Sequence, residues 1–457
     1  MATIVEQIGN YAAHLRFEDV PPHVIDYTKR LFLDGLACMI TGLDCEPARL
    51  VEHVVAAAGG SPQATIIRSG AATSAQNAAL VNGVALRFPD FNDIYYGPAW
   101  AAHPSDSLAA LLATGEWRNR SGRALLEAMV VTYELQLRFS DLPAERNFWH
   151  RGWQHTAACA YASAAGVSRM LGLDGTRTAH AIALSGARAN TFSEIRRGKI
   201  AMDKALSEPL AASNSVFAAL LAESGFTACL TILEGPYGFQ HAVAGGMDVS
   251  SLVPQADEFR VPRIGIKPYP VQGMTPALVQ AALELREMHG INPAEITAVR
   301  LFVPEEAVTK PSWDSKKLAP DSKETADHSF HFCVAVALAA GEVTTAQFSP
   351  RWLNDPRVRA IIGNMTIEAR DDLTALYRQG SRPAAVEIRT ARGTFQRDIP
   401  YPKGDPKNPM TWDDVARKFL SQASPRFGEL NALRLVDRAK ALDQEQNIGG
   451  FVRALVP

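Results

Sequence analysis

Residues 74–117 read SAQNAALVNGVALRFPDFNDIYYGPAWAAHPSDSLAALLATGEW, and this stretch decides what kind of fold to expect. Both of its ends carry apolar residues spaced by three and four, which predicts two helices with buried faces. The segment between them is rich in Gly and Pro and collects carboxylates, two tyrosines and a histidine. The stretch therefore predicts a helical scaffold that presents a polar loop, from Asp90 to Asp106, between two helices.

The same helical spacing recurs through most of the first 265 residues. It is clearest in RLFLDGLACMITG, RALLEAMVVTYELQLRF, TAACAYASAAGVSRMLGLD and SNSVFAALLAESGF. Much of the predicted buried surface is Ala and Gly, which lets helices approach one another closely. Residues 1–265 are therefore predicted to form a large all-helical domain.

The pattern changes after Pro262. Alternating apolar and polar residues predict strands over 296–304, 364–371 and 385–399, and Ala-Arg-Gly marks a hairpin turn in the last of them. Helical spacing continues between these strands, and Thr411 is placed to cap a later helix. The predicted fold is mainly α, with a large all-helical domain and a smaller α+β domain.

Composition and charge exclude several functions. The 457 residues include 46 Lys plus Arg and 48 Asp plus Glu, for a formal net charge of -2. Such a balance provides no bulk positive field to attract nucleic acid. No apolar run approaches the roughly 20 residues that a membrane span requires. The first residues are acidic and amphipathic, so we expect a cytoplasmic protein that binds neither nucleic acid nor membrane.

Five cysteines are scattered through apolar sequence, which argues against a disulfide framework. The CxxC spacing and the HExxH motif that mark many iron-sulfur and zinc sites do not occur. A GxGxxG motif after a strand and a phosphate-binding P-loop are also missing, which disfavours a dinucleotide or ATP enzyme. We therefore expect chemistry without a metal or a cofactor.

The loop between the first two helices holds the densest group of chemically active side chains. They are Asp90, Asn92, Asp93, Tyr95, Tyr96 and His103. Because Pro104 disfavours helical geometry at His103, we expect its imidazole just outside the next helix, near backbone amides that suit an anion. A nearby carboxylate could orient the ring and set its tautomer. The alternative, with equal weight, is a surface loop whose carboxylates only cap and turn the chain.

Two further candidates lie later in the helical region. His155 begins an Ala-rich helix that must be buried, where a hydrogen-bonded core histidine is the commoner role. A basic stretch contains Arg196, Arg197, Lys199 and Lys204, and it could hold carboxylates. For the first three of these residues, a solvated face is the commoner explanation.

The remaining candidates lie after Pro262. Lys267 stands between an apolar stretch and a rigid Pro/Tyr/Pro turn, which suits either a positioned cation or a linker. The sequence ADHSFHFCV brings Asp327, His328 and His331 to the start of a buried helix. The alternative is that Ser329 simply caps that helix and His328 is a core residue.

Taken together, these motifs resemble the MmgE/PrpD family, and specifically its 2-methylcitrate dehydratase branch. They are NGVALRFPDFND with HPSDSL, RGWQHT, MDKALSEPLAASNSVFAALLAESGFT, KPYPV, ADHSFHFCVAVAL and YPKGDPKNPM. The resemblance covers nearly the whole chain, and it rests on the number and order of the motifs.

The resemblance implies a helical domain of residues 1–265 completed by residues 405–457, and a lid domain of residues 266–404. The active site would lie in the cleft between them, commonly in a homodimer. Members of the family dehydrate 2-methylcitrate, decarboxylate cis-aconitate or epimerise an iminodisuccinate. The expected activity is a cofactor-independent hydro-lyase on a small tricarboxylate or dicarboxylate, with a role in propionate catabolism.

The resemblance also assigns site residues. The residues carried over are Asp90, His103 and His155 as catalytic groups and Lys204 and Lys267 as substrate-binding groups. Beside the resemblance, Gln272, His328 and His331 are also predicted to bind substrate, and no metal ligand is predicted. We expect the two lysines to hold substrate carboxylates. His103 with Asp90 would perform the main proton transfer, and His155 would supply a second proton or hydrogen bond.

Two positions depart from the family pattern. Gln272 stands where some relatives carry His or Glu, and Phe332 stands where many carry Tyr. Phe cannot donate a proton or a hydrogen bond, so His331 is the nearest replacement donor. The departures leave three alternatives open: a cis-aconitate-type decarboxylase, a dicarboxylate epimerase or isomerase, and a non-catalytic carboxylate-binding homologue.

Overall fold

The computed structural model describes residues 2–188, 190–255, 258–309 and 315–457. The fold is mainly α with a smaller α+β part, as the sequence predicts. Within the described ranges the helices are α1 (Ile4–His14), α2 (Pro22–Gly42), α3 (Glu46–Ala58), α4 (Ala75–Arg87), α5 (Leu108–Trp117), α6 (Gly122–Ser140), α7 (Thr156–Leu171), α8 (Gly175–Gly186), α9 (Ser207–Glu223), α10 (Phe239–Ala242), α11 (Pro276–His289), α12 (Glu305–Thr309), α13 (Lys323–Ala326), α14 (Phe330–Ala340), α15 (Pro350–Leu353), α16 (Pro356–Gly363), α17 (Asp371–Arg378), α18 (Trp412–Phe427), α19 (Glu429–Lys440) and α20 (Gly449–Arg453). The strands are β1 (Ala64–Thr65), β2 (Ala72–Thr73), β3 (Tyr95–Tyr96), β4 (Ala101–Ala102), β5 (Ala298–Val303), β6 (Met365–Ala369), β7 (Ala384–Thr390) and β8 (Gly393–Ile399). No helix in the described residues has both the length and the apolar character needed to cross a bilayer.

The larger hydrophobic core is built by α1–α10 and α18–α20, which we call the helical part. Its centre is α7, which is buried along nearly its whole length and contacts α6, α8 and α9. Small residues permit this close approach, since a Cβ added at Gly166 would lie 1.9 Å from the Thr132 hydroxyl oxygen of α6. The close helix packing predicted from Ala and Gly is therefore confirmed.

The helical part also contains two short ribbons that helical spacing does not predict. β1 pairs with β2, and β3 pairs antiparallel with β4 within the polar loop. The second pairing satisfies backbone groups of a loop in which Asn92 and Asp93 are fully buried. Strands of two residues are too short to show an alternating pattern in the sequence.

The α+β part comprises α11–α17 and β5–β8, with the sheet order β6-β5-β7-β8. β5 runs parallel to β6 and antiparallel to β7, and β8 follows β7 through residues 391–392. The strands predicted over 296–304, 364–371 and 385–399 are confirmed, including the hairpin. The sheet packs against α11 through β7 and β8, and Val299, Leu301 and Val303 of β5 belong to the same hydrophobic core.

The C-terminal helices return to the larger core. α18 and α19 pack against α2, and Thr411 caps α18 as predicted. Lys418 of α18 lies 2.6 Å from the buried Asp34 of α2. Its ammonium also donates to the backbone carbonyls of Phe91 and Lys267 at 2.7 and 2.9 Å. This helix thereby holds two segments that carry candidate site residues.

The predicted domain limits fall after residues 265 and 404. The larger core draws on residues 4–266 and 410–455, and the smaller core draws on residues 271–399. The two cores describe how the side chains are packed, whereas the limits themselves stay a prediction.

Contact between α2 and α4 provides a test of the packing that leads into the polar loop. A Cβ at Gly42 would lie 1.9 Å from the carbonyl oxygen of Ala85, so Gly42→Ala must push the two helices apart. We expect this variant to lose about 1–3 kcal/mol of unfolding free energy, measured by denaturant titration. Gly450→Ala is the control, because nothing lies within 4 Å of its added Cβ. Equal stability of the two variants would contradict this packing.

Candidate active site

A cavity of about 370 Å³ lies between the helical part and the α+β part. The helical side contributes Asp90, Ile94, Tyr96, His103, Gln154, His155, Arg196 and Arg197. The other side contributes Lys267, Gln272, Met274, Lys317, His328, Tyr377 and Arg382. This volume suits a small molecule, and the mixture of charged and aromatic groups suits a polar one.

Asp90 is the charge centre of the cavity. The backbone turns there into the left-handed region with φ 54°, and the carboxylate is buried. Its Oδ1 lies 2.8 Å from the ammonium of Lys267 and 3.2 Å from Arg87, while Oδ2 lies 2.9 Å from the ammonium of Lys204. One carboxylate thus contacts three buried cations, at a backbone conformation that few residues other than Gly, Asn and Asp adopt.

The charged groups in this cluster shift one another's pKa values. Burial alone would raise the pKa of Asp90, but Lys204, Lys267 and Arg87 hold it well below its ordinary value. Burial lowers the pKa of Lys204 to about 8 and lowers that of Lys267, and Asp90 opposes both shifts. Two lysines share one carboxylate, so the cluster keeps an excess of positive charge beside the cavity.

His328 joins this cluster from the α+β part. Its Nε2 lies 3.5 Å from Asp90 Oδ2, and its Nδ1 binds the carboxylate of Asp327. The ammonium of Lys323 lies 2.7 Å from the second oxygen of Asp327. Burial lowers the pKa of His328 to about 4, so its imidazole is neutral at pH 7. These contacts connect the two walls of the cavity.

His103 has a defined tautomer. Its Nδ1 lies 2.6 Å from the backbone carbonyl oxygen of Asp93. Because a carbonyl only accepts, Nδ1 carries the proton and the lone pair of the neutral ring is on Nε2. Burial and then the charges of Arg87 and Lys267 lower the pKa of His103 well below its ordinary value. Nε2 has no hydrogen-bond partner in the described residues, so this ring can accept a proton at the cavity.

The loop differs from the sequence-based expectation in two ways. The group that orients His103 is a backbone carbonyl and not a carboxylate. The amide of Ser105, expected to be open to an anionic ligand, donates to the Asp93 carboxylate at 3.2 Å. A carboxyl group of the protein therefore occupies this position, and burial raises the pKa of Asp93 to about 7.

His155 is paired with a buried carboxylate that the sequence did not single out. Its Nε2 lies 3.1 Å from Glu208 Oε1, and its ring centroid lies 5.4 Å from that of His103. Burial alone would raise the pKa of Glu208, but His155 and Arg196 hold it well below its ordinary value. Burial lowers the pKa of His155, and Glu208 opposes this shift. Glu208 therefore keeps the pKa of His155 higher than burial alone would set it.

The basic stretch also differs from expectation. Arg196 is not on a solvated face, because its guanidinium lies 3.2 Å from Glu208 and lines the cavity. Arg197 and Lys199 are exposed, at 65% and 64% of their side-chain surface. A lone acid at the start of a small-residue helix usually complements the helix dipole, so only its proximity to His155 identifies Glu208 as a site residue.

Most of the predicted site residues come together. Those that line the cavity are Asp90, His103, His155, Lys267, Gln272 and His328. Lys204 binds Asp90 from behind the cavity wall, and His331 lies outside the lining. Phe332 packs near Phe348 in the smaller core, so the missing Tyr hydroxyl leaves no gap in the cavity wall.

Tyr96 is a hydrogen-bond donor that sequence reasoning did not separate from the rest of the loop. Its hydroxyl is buried and has no hydrogen-bond partner in the part of the chain that the structure describes. Burial raises the pKa of this phenol, which therefore keeps its proton at neutral pH. The hydroxyl occupies the space where a Cβ of Gly273 would lie, so glycine is required there.

Two clusters of described residues could offer three donor atoms to a metal ion. They are Asp90 with Asp327 and His328, and Asp106 with His155 and Glu208. A cation in the first would lie beside Lys204 and Lys267, and one in the second would lie beside Arg87 and Arg196. Because these carboxylates already face cations, both clusters fit internal ion pairs better than a metal site. Metal-free chemistry stays a prediction.

Comparisons with known proteins cover both parts of the chain. The family model described as the MmgE/PrpD N-terminal domain matches residues 6–252, and the MmgE/PrpD C-terminal domain matches residues 269–444. A 2-methylcitrate dehydratase of Cupriavidus necator is 28% identical over 76% of this chain and 74% of its own length. A mitochondrial 2-methylcitrate dehydratase of Yarrowia lipolytica is 26% identical, with 90% and 84% covered. A cis-aconitate decarboxylase of Mus musculus is 24% identical, with 100% and 94% covered.

The geometry around Asp90 predicts a large effect on stability. Asp90→Asn removes the charge that Lys204, Lys267 and Arg87 share, and it leaves buried cations unpaired. We expect the free energy of unfolding to fall by about 3–5 kcal/mol, measured by denaturant titration. Asp372→Asn is the control, because that Asp is 61% exposed and should cost less than about 1 kcal/mol. An Asp90→Asn variant as stable as the control would contradict the role of Asp90 as the charge centre.

Proposed function

This chain belongs to the MmgE/PrpD family, and on that premise we propose that it is a metal-independent lyase that removes water from a small polycarboxylate. The preferred substrate is 2-methylcitrate or a close analogue, since relatives of that name match most of the chain. The observation that carries the proposal is the neutral imidazole of His103, whose Nε2 is available at a cavity beside buried positive charge.

The reaction begins with a proton transfer to His103. Its Nε2 removes a proton from the carbon next to a substrate carboxylate, and the electrons of that C–H bond form a carbon–carbon double bond. The C–O bond on the neighbouring carbon breaks, and hydroxide leaves as water with a proton from His155. The proton on His103 then passes to solvent, and His155 takes up another. Each positioned acid or base contributes roughly 10²–10⁴-fold to the rate.

Positive charge stabilises the intermediate state. Negative charge grows on the substrate carboxylate as the proton leaves, and Lys267 lies in the cavity wall with Lys204 behind it. Asp90 opposes the lowering of both lysine pKa values, so it helps to keep both ammonium groups charged. Charges that are in place before the substrate arrives need little rearrangement during the reaction, which is the main advantage of such a site.

Decarboxylation is the second candidate. Relatives named cis-aconitate decarboxylase match nearly the whole chain. Loss of carbon dioxide leaves a carbanion that the same acid could protonate, so one cavity suits both reactions. Epimerisation or isomerisation would need only proton removal and return. Carboxylate binding without turnover would instead make this chain a non-catalytic homologue.

We also propose that the protein is a cytoplasmic homodimer that acts in propionate catabolism. The dimer and the pathway follow from what is common in the family. The cytoplasmic location is proposed for this chain and not for the whole family, because one relative is named mitochondrial.

The first functional test compares substrates. Purified protein is incubated with 2-methylcitrate, citrate and cis-aconitate while absorbance of a new double bond and release of carbon dioxide are followed. We expect double-bond formation from 2-methylcitrate, and His103→Ala should lower kcat by roughly 10²–10⁴-fold because the base is lost. His23→Ala, at an exposed histidine, is the control. Near-normal turnover by folded His103→Ala would contradict the mechanism, and carbon dioxide release alone would favour decarboxylation.

The second test concerns Glu208 and the pH profile. The reaction needs protonated His155, so activity falls as pH rises through the pKa of that ring. Glu208→Gln removes the charge that raises this pKa, so the alkaline limb should move to lower pH by about 1–3 units. The control is Glu134→Gln, a buried carboxylate that binds the backbone amides of Arg260 and Val261 outside the cavity lining. An unshifted limb in Glu208→Gln would exclude His155 as the acid.

A further inference from the structure

Several buried cations among the described residues face carboxylates. Arg87, Lys204 and Lys267 contact Asp90, and Lys418 contacts Asp34. Arg382 is also buried, with 9% of its surface exposed, yet no carboxylate in the described residues lies within 4 Å of it. It lines the cavity from the loop between α17 and β7.

We propose that Arg382 binds a substrate carboxylate remote from the reacting carbon, an inference that rests on the proposed action on a polycarboxylate. A buried guanidinium cannot lose its proton, so it needs a counter-charge. The fork of N–H donors on arginine fits a carboxylate better than any neutral group. The described residues place no carboxylate at the Arg382 guanidinium, and a polycarboxylate substrate would supply one.

The contacts of Arg382 hold it in position and leave donors available. Its Cζ lies 3.6 Å from the ring centroid of Tyr96 and 4.3 Å from that of Tyr377. Stacked rings contact the faces of a guanidinium, whereas its N–H donors lie in the plane. One terminal nitrogen donates to the backbone carbonyl of Ser381 at 2.6 Å, and Nε is buried without a hydrogen-bond partner among the described residues.

Asp405 is the carboxylate of the protein to consider as an ion-pair partner of Arg382. Burial raises the pKa of Asp405, and the charge of Arg382 opposes this shift, so the two groups are near each other. They nevertheless form no ion pair within 4 Å, and neither side chain has a hydrogen bond or ion pair beyond those described. Asp405 accepts the backbone amide of Lys407 at 2.8 Å, which fixes it in its own turn. Arg382 therefore remains available to a ligand.

The position of Arg382 also defines the class of substrate. Tyr96 lies in β3 of the polar loop, and the partner strand β4 leads directly into His103, so Tyr96 and His103 share one ribbon. Arg382 and Tyr377 come from the α+β part. A ligand that reaches both His103 and Arg382 would carry one carboxylate beside His103 and another at Arg382.

The test measures binding of tricarballylate, a tricarboxylate without a leaving hydroxyl, by calorimetry. Arg382→Gln should weaken it by about 10- to 100-fold, the effect of losing charge-assisted hydrogen bonds. The affinity of Arg382→Lys for tricarballylate should lie between those of wild type and Arg382→Gln, because lysine keeps the charge without the planar fork. The control is Arg378→Gln, a neighbouring arginine that is 66% exposed and lies outside the cavity lining.

The outcomes separate this inference from the proposed function. Unchanged tricarballylate affinity in folded Arg382→Gln overturns the inference, even if wild type dehydrates 2-methylcitrate. Binding that depends on Arg382 supports it, even if wild type turns over none of the candidate acids, which would overturn the proposed function. If Arg382→Gln does not fold, wild-type crystals soaked in tricarballylate decide the matter. A carboxylate at the Arg382 guanidinium supports the inference, and a ligand bound elsewhere overturns it.

Discussion

The carboxylate of Asp90, shared by Arg87, Lys204 and Lys267, is the interaction on which the rest of the site depends. Removing a charge from water costs several kcal/mol per ion, and this cost is offset only when buried charges meet at close range. The three cations come from α4, from the segment before α9 and from the chain that leads to α11. Their common anion therefore fixes three distant segments around one cavity.

The same arrangement gives two neighbouring histidines, His103 and His155, different roles. His103 faces Asp90 and its cations, and a backbone carbonyl holds its proton on Nδ1, so the ring is neutral and accepts. Burial lowers the pKa of His155 too, but this ring lies beside Glu208, which opposes the shift. Arg87 contacts both Asp90 and Glu208, so the two carboxylates are close in space. They have different roles because Asp90 faces His103 and Glu208 faces His155. Different surroundings give two like groups opposite roles in acid/base chemistry.

Much of the fold could be predicted because helical and strand spacing act locally. The density of polar residues in one loop was also enough to select Asp90 and His103. Glu208 and Arg382 could not be selected, because their importance depends on what lies beside them after folding. Sequence spacing gives no distance between Glu208 and His155, and it does not reveal that a buried arginine lacks a carboxylate. Lys204 and Lys267 were expected to face substrate, and they bind Asp90 for the same reason. Residues that are far apart in the sequence come together in one charge cluster when the chain folds.

The central claim is that His103 is a neutral base with its lone pair on Nε2. Nitrogen NMR of the protein labelled with ¹⁵N in histidine tests it directly, with the resonances of His103 identified by their loss in His103→Gln. The account predicts a protonated Nδ1 and an unprotonated Nε2 that persist at pH 7 and well below the ordinary pKa of histidine. An imidazolium at pH 7, or the opposite tautomer, would contradict it.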